Sequence, residues 1–377
     1  MTFKVLLGLL LASFMGIGEE VFAGAFLNRD EGGKKVEVLS RPFDPASEGF
    51  VGICSFNIQW LGHWHRKKVK PLAQLVKNCD AVVVQEMVAP AIDVFFDTAR
   101  KDVRFRADKE ASAFWQAMQE IGFDGIEMAQ EDTGPNRHHS YSTSSEWPVL
   151  FYKSNSMEVA RDLPNGYLDK KLVKHPIFPR VPYAFGLRGV GNGKSTSDFV
   201  LISVHMRPMG AKGESTGYAK AMRVAEFQTI ARWIKDNRSS HPSEEQDYFI
   251  LGDMNVENAA EMDAYFGEVA PELRPYIEVV RSQLTPYFQE LYEFLGYISL
   301  NRDGTDLYGT NINRTKPFDH VMYEPGRMTV EVLPRLYMID LAAVFRLDSY
   351  EKTIEFVQHY SDHNPLKLEV RLFGDGD

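Results

Sequence analysis

Six short apolar runs, each meeting a polar side chain at one end, set the terms for any fold this chain can adopt. The clearest is Phe249–Asn255, which reads Phe-Ile-Leu-Gly-Asp-Met-Asn. Strand-favouring residues run to Leu251, Gly252 breaks them, and Asp253 and Asn255 follow two residues apart. A buried strand with this ending points both polar side chains toward one side of its mouth. Taken alone, the same residues also describe a strand followed by an Asx turn. The construction recurs, however. Apolar runs end in Asn57, in Glu86, in His205 and near Asp319, and Asp362-His363 precedes a last run. Loops held at strand ends by a rigid sheet commonly house chemistry, so six such ends predict one site.

Taken in order, Phe50–Phe56 reads as a buried strand ending at Asn57, and Asp80–Glu86 as a second. Between them Val69, Leu72, Leu75 and Val76 keep helical spacing, with Pro71 near the start. A right-handed parallel crossover then places Asn57 and Glu86 at one sheet edge. The intervening loop interleaves Trp60, His63, Trp64, His65, Arg66, Lys67 and Lys68. That mixture suits stacking and phosphate contact, and equally suits a solvated loop with one packed Trp. His63 and His65 lack partners at metal-ligand spacing.

Residues 88–139 are expected to form a helical insertion, with Phe114, Met118 and Ile121 on one stripe and Gly122 as C-cap. The pair His138-His139 is read as surface. Trp147–Tyr152 is a strand with Glu146 just before it, and residues 176–190 give a Pro-rich loop and a strand carrying Arg180 and Arg188. Asp198–His205 is a buried strand, although a lone His at such an end is more often structural than catalytic. Tyr218–Asn237 is an amphipathic helix whose apolar arc includes Arg223 and Glu226, expected as an i,i+3 ion pair. A second helical insertion is expected over residues 257–297, then a turn-rich stretch, a strand over Phe318–Tyr323 and a last strand over Leu366–Leu372. Strands separated by helices and hairpin-like links predict an α+β fold of two mixed sheets packed face to face.

A formal charge of −10 argues against a protein that coats nucleic acid by bulk electrostatics. Residues 1–23 read as a secretory signal, with Lys4, the apolar run Val5–Ile17 and the small-residue site Val21-Phe22-Ala23. The run is too short for a membrane span, and an uncleaved anchor is the alternative. The mature protein is expected to be secreted or periplasmic and without a stable membrane anchor. Residues 24–48 form a poorly ordered lead-in and residues 49–373 a single domain. In an oxidising compartment Cys54 and Cys79 invite a disulfide. If their strands pair in parallel, though, the sulfurs are offset by roughly four residues, about 13 Å. Two separate buried thiols are the expectation.

The segments Phe56-Asn57-Ile58-Gln59-Trp60, Gln85-Glu86, Ser203-Val204-His205, Gly252-Asp253-Met254-Asn255, Phe318-Asp319-His320 and Ser361-Asp362-His363-Asn364-Pro365 resemble the motif series of the endonuclease/exonuclease/phosphatase superfamily. Each is weak alone, but all six stand in the family's order and span residues 50–372. Within that superfamily the chain is most similar to secreted nucleases of the deoxyribonuclease I type, because Ser145-Glu146-Trp147 stands where the Glu that pairs with the strand-end His belongs.

The resemblance implies a four-layer α-β-β-α sandwich and metal-dependent phosphodiester hydrolysis of DNA or RNA. Glu86, Asn57, Asp362 and Asp253 are then the candidate ligands for Mg²⁺, with Mn²⁺ as an alternative and a structural Ca²⁺ left open. His363, fixed by Asp319, would activate water, and His205, oriented by Glu146, would assist the leaving group. Asp253 would hold the attacking water or a metal, Asn255 would bind phosphate, and Arg180 resembles a phosphate-contacting Arg. Met87 departs from the deoxyribonuclease I type, which places an Arg after Gln85-Glu86 to enter a minor groove. Nucleic acid is the expected substrate and a monomer the expected state, with no protein partner indicated. The alternative is a sphingomyelinase-like phospholipid phosphodiesterase, which an exposed aromatic hairpin would favour; the sequence shows no clear one. A binding protein that kept the fold is the third reading.

Overall fold

Period-two alternation sorts the strand side chains onto two faces. The computed structural model shows where each face goes, describing residues 26–27, 49–98, 101–129, 146–168, 177–190, 197–208, 214–240, 247–283, 296–303, 306–326, 332–345 and 353–371. One sheet runs, in spatial order, β1 (Phe26–Leu27), β17 (Val332–Ile339), β18 (Leu366–Arg371), β2 (Phe50–Leu61), β3 (Ala81–Met87), β7 (Val149–Tyr152) and β6 (Gly125–Met128). The other runs β13 (Ile298–Ser299), β16 (Asp319–Tyr323), β12 (Tyr248–Asp253), β11 (Asp198–His205), β10 (Tyr183–Gly189) and β8 (Met157–Val159), with β9 (Gly166–Tyr167) also on β10. Both sheets are mixed: β2–β3 and β11–β12 are parallel, and their neighbours antiparallel.

Three apolar layers follow from the alternation. Val51, Ile53, Val83, Phe185, Leu201, Phe249, Leu251 and Val321 fill the space between the sheets. Cys54, Phe56, Val82 and Val84 face outward onto α1 (Val69–Leu75), α2 (Lys109–Glu120), α6 (Leu341–Val344) and α7 (Thr353–His359). Val200, Ile202, Val204 and Ile250 face outward onto α3 (Thr216–Ser240), α4 (Ala259–Tyr265) and α5 (Arg274–Gln283). The result is the four-layer α-β-β-α sandwich expected. Asp108 caps α2 by accepting from the N–H groups of Glu110 and Ala111 at 2.8 and 3.0 Å. Among the described residues no helix is long and apolar enough to cross a membrane.

Three local expectations change. The stretch 88–139 is helical only over α2. That holds for its described residues, which also form a hairpin, β4 (Val94–Thr98) with β5 (Lys101–Phe105), and sheet strand β6; residues 99–100 and 130–139, with the His pair, lie outside the described residues. A further small hairpin joins β14 (Arg302–Asp303) to β15 (Asp306–Leu307). Arg223 is fully buried as expected, but its Nε pairs with Glu261 of α4 at 2.6 Å rather than with Glu226.

Cys54 and Cys79 are joined in a disulfide with a Cα–Cα distance of 5.9 Å. The expected offset extended β3 back through Cys79, yet the strand begins only at Ala81. Cys79 instead closes the turn out of α1, its N–H on the Val76 carbonyl at 2.9 Å, and so lies over the outward face that carries Cys54. Chain entropy for the 25-residue separation makes this bond worth about 3.5 kcal/mol. Urea unfolding of the Cys54→Ala/Cys79→Ala protein is expected to show that loss, and added dithiothreitol should then have no further effect.

Candidate active site

The same alternation that builds the central layer delivers four polar side chains to one end of it. Asn57 follows Ile53 and Ser55, His205 follows Leu201 and Ser203, Asp253 follows Leu251, and Asp319 precedes Val321, all on the between-sheet face. Register completes the placement, because His205 pairs with Asp253 across the parallel ladder and Asp253 with Asp319 across the antiparallel one. Gly252, at φ +138°, carries β12 against the Val204 carbonyl where any Cβ would collide. Glu86 and Asn255 hold left-handed backbone at φ +59° and +52°, a conformation that larger residues adopt at a cost and that gathers at functional sites.

These residues meet as a chain of alternating carboxylates and imidazoles. His205 sets Nδ1 2.7 Å from Glu146 Oε1 and Nε2 3.4 Å from Asp253 Oδ2. His363 sets Nδ1 2.8 Å from Asp319 Oδ2 and Nε2 3.6 Å from the same Asp253 oxygen. Asp253 is thus shared by two rings, each anchored behind by its own carboxylate. Asn57 donates from Nδ2 to Glu86 Oε1 at 3.0 Å and to Asp253 Oδ2 at 2.9 Å. Its oxygen accepts from the Gln59 N–H at 3.0 Å, so Asn57 as arranged bridges two carboxylates. The ligand role expected of it would need that oxygen turned toward them. Asn255 donates to the Met206 carbonyl at 3.1 Å, and its N–H caps Asp253 Oδ1 at 2.9 Å. Arg180 pairs through Nε with Glu146 Oε1.

Burial sets the charge states. It pushes the Asp253 and Glu86 carboxyls up, against the opposing pull of the histidines. Glu146 is lowered in spite of burial because Arg180 and His205 face it. Asp319 is likewise held down against burial by His363 and the Thr310 hydroxyl. Burial alone would discharge both histidines. Yet Glu146 and Asp253 raise His205, and Asp319, Asp253 and Asp362 raise His363 well above the ordinary range. His320, between Ser299 at 2.8 Å and the Pro317 carbonyl at 2.7 Å, faces outward from the sheet and falls to about 4. It is a neutral structural residue.

The donor set fits a divalent cation. Glu86, His205 and Asp253 bring one ligand atom each within 4.8 Å of one another, as do Asp253, Asp319 and His363. Glu86 Oε2 is buried without a hydrogen-bond partner, which leaves a hard oxygen for such an ion; Asp362 Oδ1 is likewise unpartnered but belongs to neither cluster.

Three residues support the site: Thr310 is unmarked in the sequence, whereas Ser361 stands there only within the motif series and Lys67 only within the basic loop. Thr310 donates to Asp319 Oδ2 at 2.6 Å and accepts from the Asp319 N–H at 2.9 Å, from a turn-rich stretch with no periodicity to flag it. Ser361 ties the Asn57 carbonyl to the His363 N–H at 2.7 and 3.1 Å. Lys67 is buried, its amine lowered to about 8 by desolvation against the pull of Asp362, Glu110 and Glu86, and it donates to the carbonyls of Val357 and Tyr360.

Behind His205 lies a second buried network. Glu226 accepts from the Arg207 N–H at 3.2 Å, and Arg223 donates to the Arg207 carbonyl at 3.1 Å. Burial pushes Glu226 from its ordinary 4.5 up to about 8, although Arg207 and Arg223 oppose the shift. A carboxyl raised on folding contributes stability below its unfolded pKa and loses it as pH rises through the folded one. Stability should therefore fall between pH 4.5 and about 8. Glu226→Gln is expected to match the parent near pH 5 and exceed it in thermal melting at pH 9.

No protein-family model matches the chain, and no curated protein matches it. Solved structures do. The human Nocturnin catalytic domain with bound sulfate is 13% identical at a TM-score of 0.47, covering 94% of this chain and 99% of that one. An AP endonuclease from Leishmania major is 13% identical at 0.46, covering 87% and 89%. An endonuclease/exonuclease/phosphatase family protein from Bacteroides thetaiotaomicron is 13% identical at 0.44, covering 86% and 98%. At this level of likeness nothing about activity passes from those proteins to this chain. Of these three, the Bacteroides protein carries the name of the superfamily that the motif series resembles, and none singles out the deoxyribonuclease I type.

Proposed function

We propose that the chain is an exported, Mg²⁺-dependent phosphodiesterase acting on nucleic acid. The observation that carries this reading is the relay Glu146–His205–Asp253–His363–Asp319, two anchored imidazoles facing one carboxylate beside the unpartnered oxygen of Glu86. Hydrolysis of a phosphodiester needs one group to take a proton from water and another to return one to the leaving oxygen. His363, its Nδ1 fixed by Asp319, takes the first part, and His205, fixed by Glu146, the second. Asp253 orients the water between them, while Asn255 and the outer nitrogens of Arg180 meet the phosphate. A divalent cation held by Glu86, Asp253 and Asp362, with Asn57 beside them, would neutralise phosphoryl charge and offset the carboxylates that keep the proton on His363. Export rests on the apolar run Val5–Ile17, and the Cys54–Cys79 disulfide supports an oxidising compartment.

One observation favours a second reading. The β4–β5 hairpin carries Phe95 at 55% exposure, with Ile92 exposed just before it, as a phospholipid phosphodiesterase touching a lipid surface would require. Purified protein incubated with Mg²⁺ or EDTA on single-stranded oligonucleotide, plasmid DNA, RNA and sphingomyelin vesicles separates the two. Cleavage of nucleic acid that EDTA abolishes is the expected result. Hydrolysis confined to vesicles would overturn it in favour of the lipid.

A further inference from the structure

The last residues of β2 and the loop that follows supply no group to the proton transfers above, yet they are built at a cost. Directly beyond Asn57, Gln59 and Trp60 hold φ of +49° and +53°, left-handed values that side chains of this size avoid. Such strain persists where the surroundings over-determine it. Here the Gln59 N–H is held by Asn57 Oδ1, the His63 N–H by the Trp60 carbonyl at 3.0 Å, and the Gly62 N–H by Glu110 at 2.8 Å. The turn gathers Trp60, His63 and Trp64 into one half-exposed cluster. The two indoles stand 4.5 Å apart at 81°, with the imidazole within 6.2 Å of each.

The loop then returns to the site. Lys67 Nζ donates to the carbonyls of Val357, at 3.1 Å, and Tyr360, and the Lys68 N–H to that of His359 at 2.7 Å, immediately before Ser361-Asp362-His363. The aromatic cluster is therefore slung between Asn57 at one end and the Asp362-His363 turn at the other. Exposed Arg66 and Lys68 flank it.

We propose that Trp60 and Trp64 form a stacking subsite for a nucleobase of single-stranded nucleic acid, which fixes the strand beside the carboxylate–imidazole relay. Perpendicular indoles offer one face and one edge, so a flat ring can rest on the first while touching the second. Arg66 and Lys68 supply the charge that a phosphate backbone needs in a chain that is otherwise acidic. A base can stack here only if its own face is free, which a single strand offers and the interior of a duplex does not. Half-burial beside two exposed cations, Arg66 and Lys68, suits this occupant better than an acyl surface, where indoles would stand clear of their neighbours. The inference rests on the phosphodiesterase reading for its substrate class.

The test compares the parent, Trp64→Ala and Trp64→Phe on an oligothymidylate and on the same strand with abasic tetrahydrofuran residues. Trp64→Ala should raise KM for the base-bearing strand by about 5- to 150-fold, the usual worth of one stacked base. It should leave kcat and the abasic strand nearly unchanged, and Trp64→Phe should recover most of the loss. Equal losses on both strands would mean that the loop acts only through Asn57, and no loss on either would mean no contact; each overturns the proposal. Fluorescence titration in EDTA keeps the two readings apart. Quenching by the oligonucleotide that Trp64→Ala removes, without cleavage of any strand, would sustain the subsite and sink the hydrolase. Cleavage without quenching would sink the subsite alone. A response to sphingomyelin vesicles in place of oligonucleotide would make the cluster a membrane contact and end the proposal.

Discussion

His363→Ala is expected to lower phosphodiester hydrolysis on the order of 10²- to 10⁴-fold while the fold stands. The structure separates the two effects. Without the ring, Asp319 keeps the Thr310 hydroxyl at 2.6 Å, and Asp253 keeps Asn57 and the Asn255 N–H at 2.9 Å each. Both carboxyls keep hydrogen-bond partners, so the fold should stand, but Asp319 loses the imidazole that holds it down against burial and melting should fall with it. Asp319→Asn tests the anchor instead. It keeps the shape but removes the charge and puts an NH2 donor in place of one accepting oxygen, so the Nδ1 proton of His363 is no longer fixed and Nε2 is not held as the reacting nitrogen. Its loss should approach that of His363→Ala. The double variant should be no worse than His363→Ala alone, because two residues that act as a unit are not additive. Steady-state rates of the three proteins decide it, and additive losses would show that Asp319 acts independently of the ring.

What the sequence made readable was whatever strand alternation and register dictate. Once Ile53, Leu201, Leu251 and Val321 face the second sheet, Asn57, His205, Asp253 and Asp319 have no choice of side. Glu86 is different. In alternation with Val82 and Val84 it would point outward, and only its left-handed backbone turns it into the site. Its place came from the motif rather than from the period.

The misses depend on irregular chain or on contacts between elements, and a period read along one element shows neither. The disulfide was misjudged because Cys79 sits in a turn while the distance estimate treated it as strand. The β4–β5 hairpin was hidden because Val94–Phe105 lacks a tight turn signal, and the stripe of Phe114 and Met118 extended the helix too far back. Arg223 was paired with Glu226 by spacing along its own helix, when the stronger partner, Glu261, arrives from α4. Thr310 and Lys67 reach the site through irregular segments, so no periodic rule could place them.

Glu86→Gln should stabilise the metal-free protein and disable it together. In the absence of a cation Glu86 is a buried carboxyl with one oxygen on Asn57 and the other without a partner, raised by burial and further by Glu146 and Asp362. A neutral amide of the same shape relieves that crowding, and the gain expected in EDTA is on the order of 1–2 kcal/mol, the usual yield of such relief. Mg²⁺ reverses the comparison. The parent should gain about 2.7 kcal/mol at a hundredfold excess of ion over its dissociation constant, by mass action on the folded state alone, whereas Glu86→Gln should gain far less. Melting both proteins in EDTA and in Mg²⁺ reads both halves at once, beside an activity assay expected to show loss of at least the size seen for His363→Ala. If Glu86→Gln melted lower than the parent in EDTA, Glu86 would be a structural partner of Asn57 and not an oxygen held for an ion.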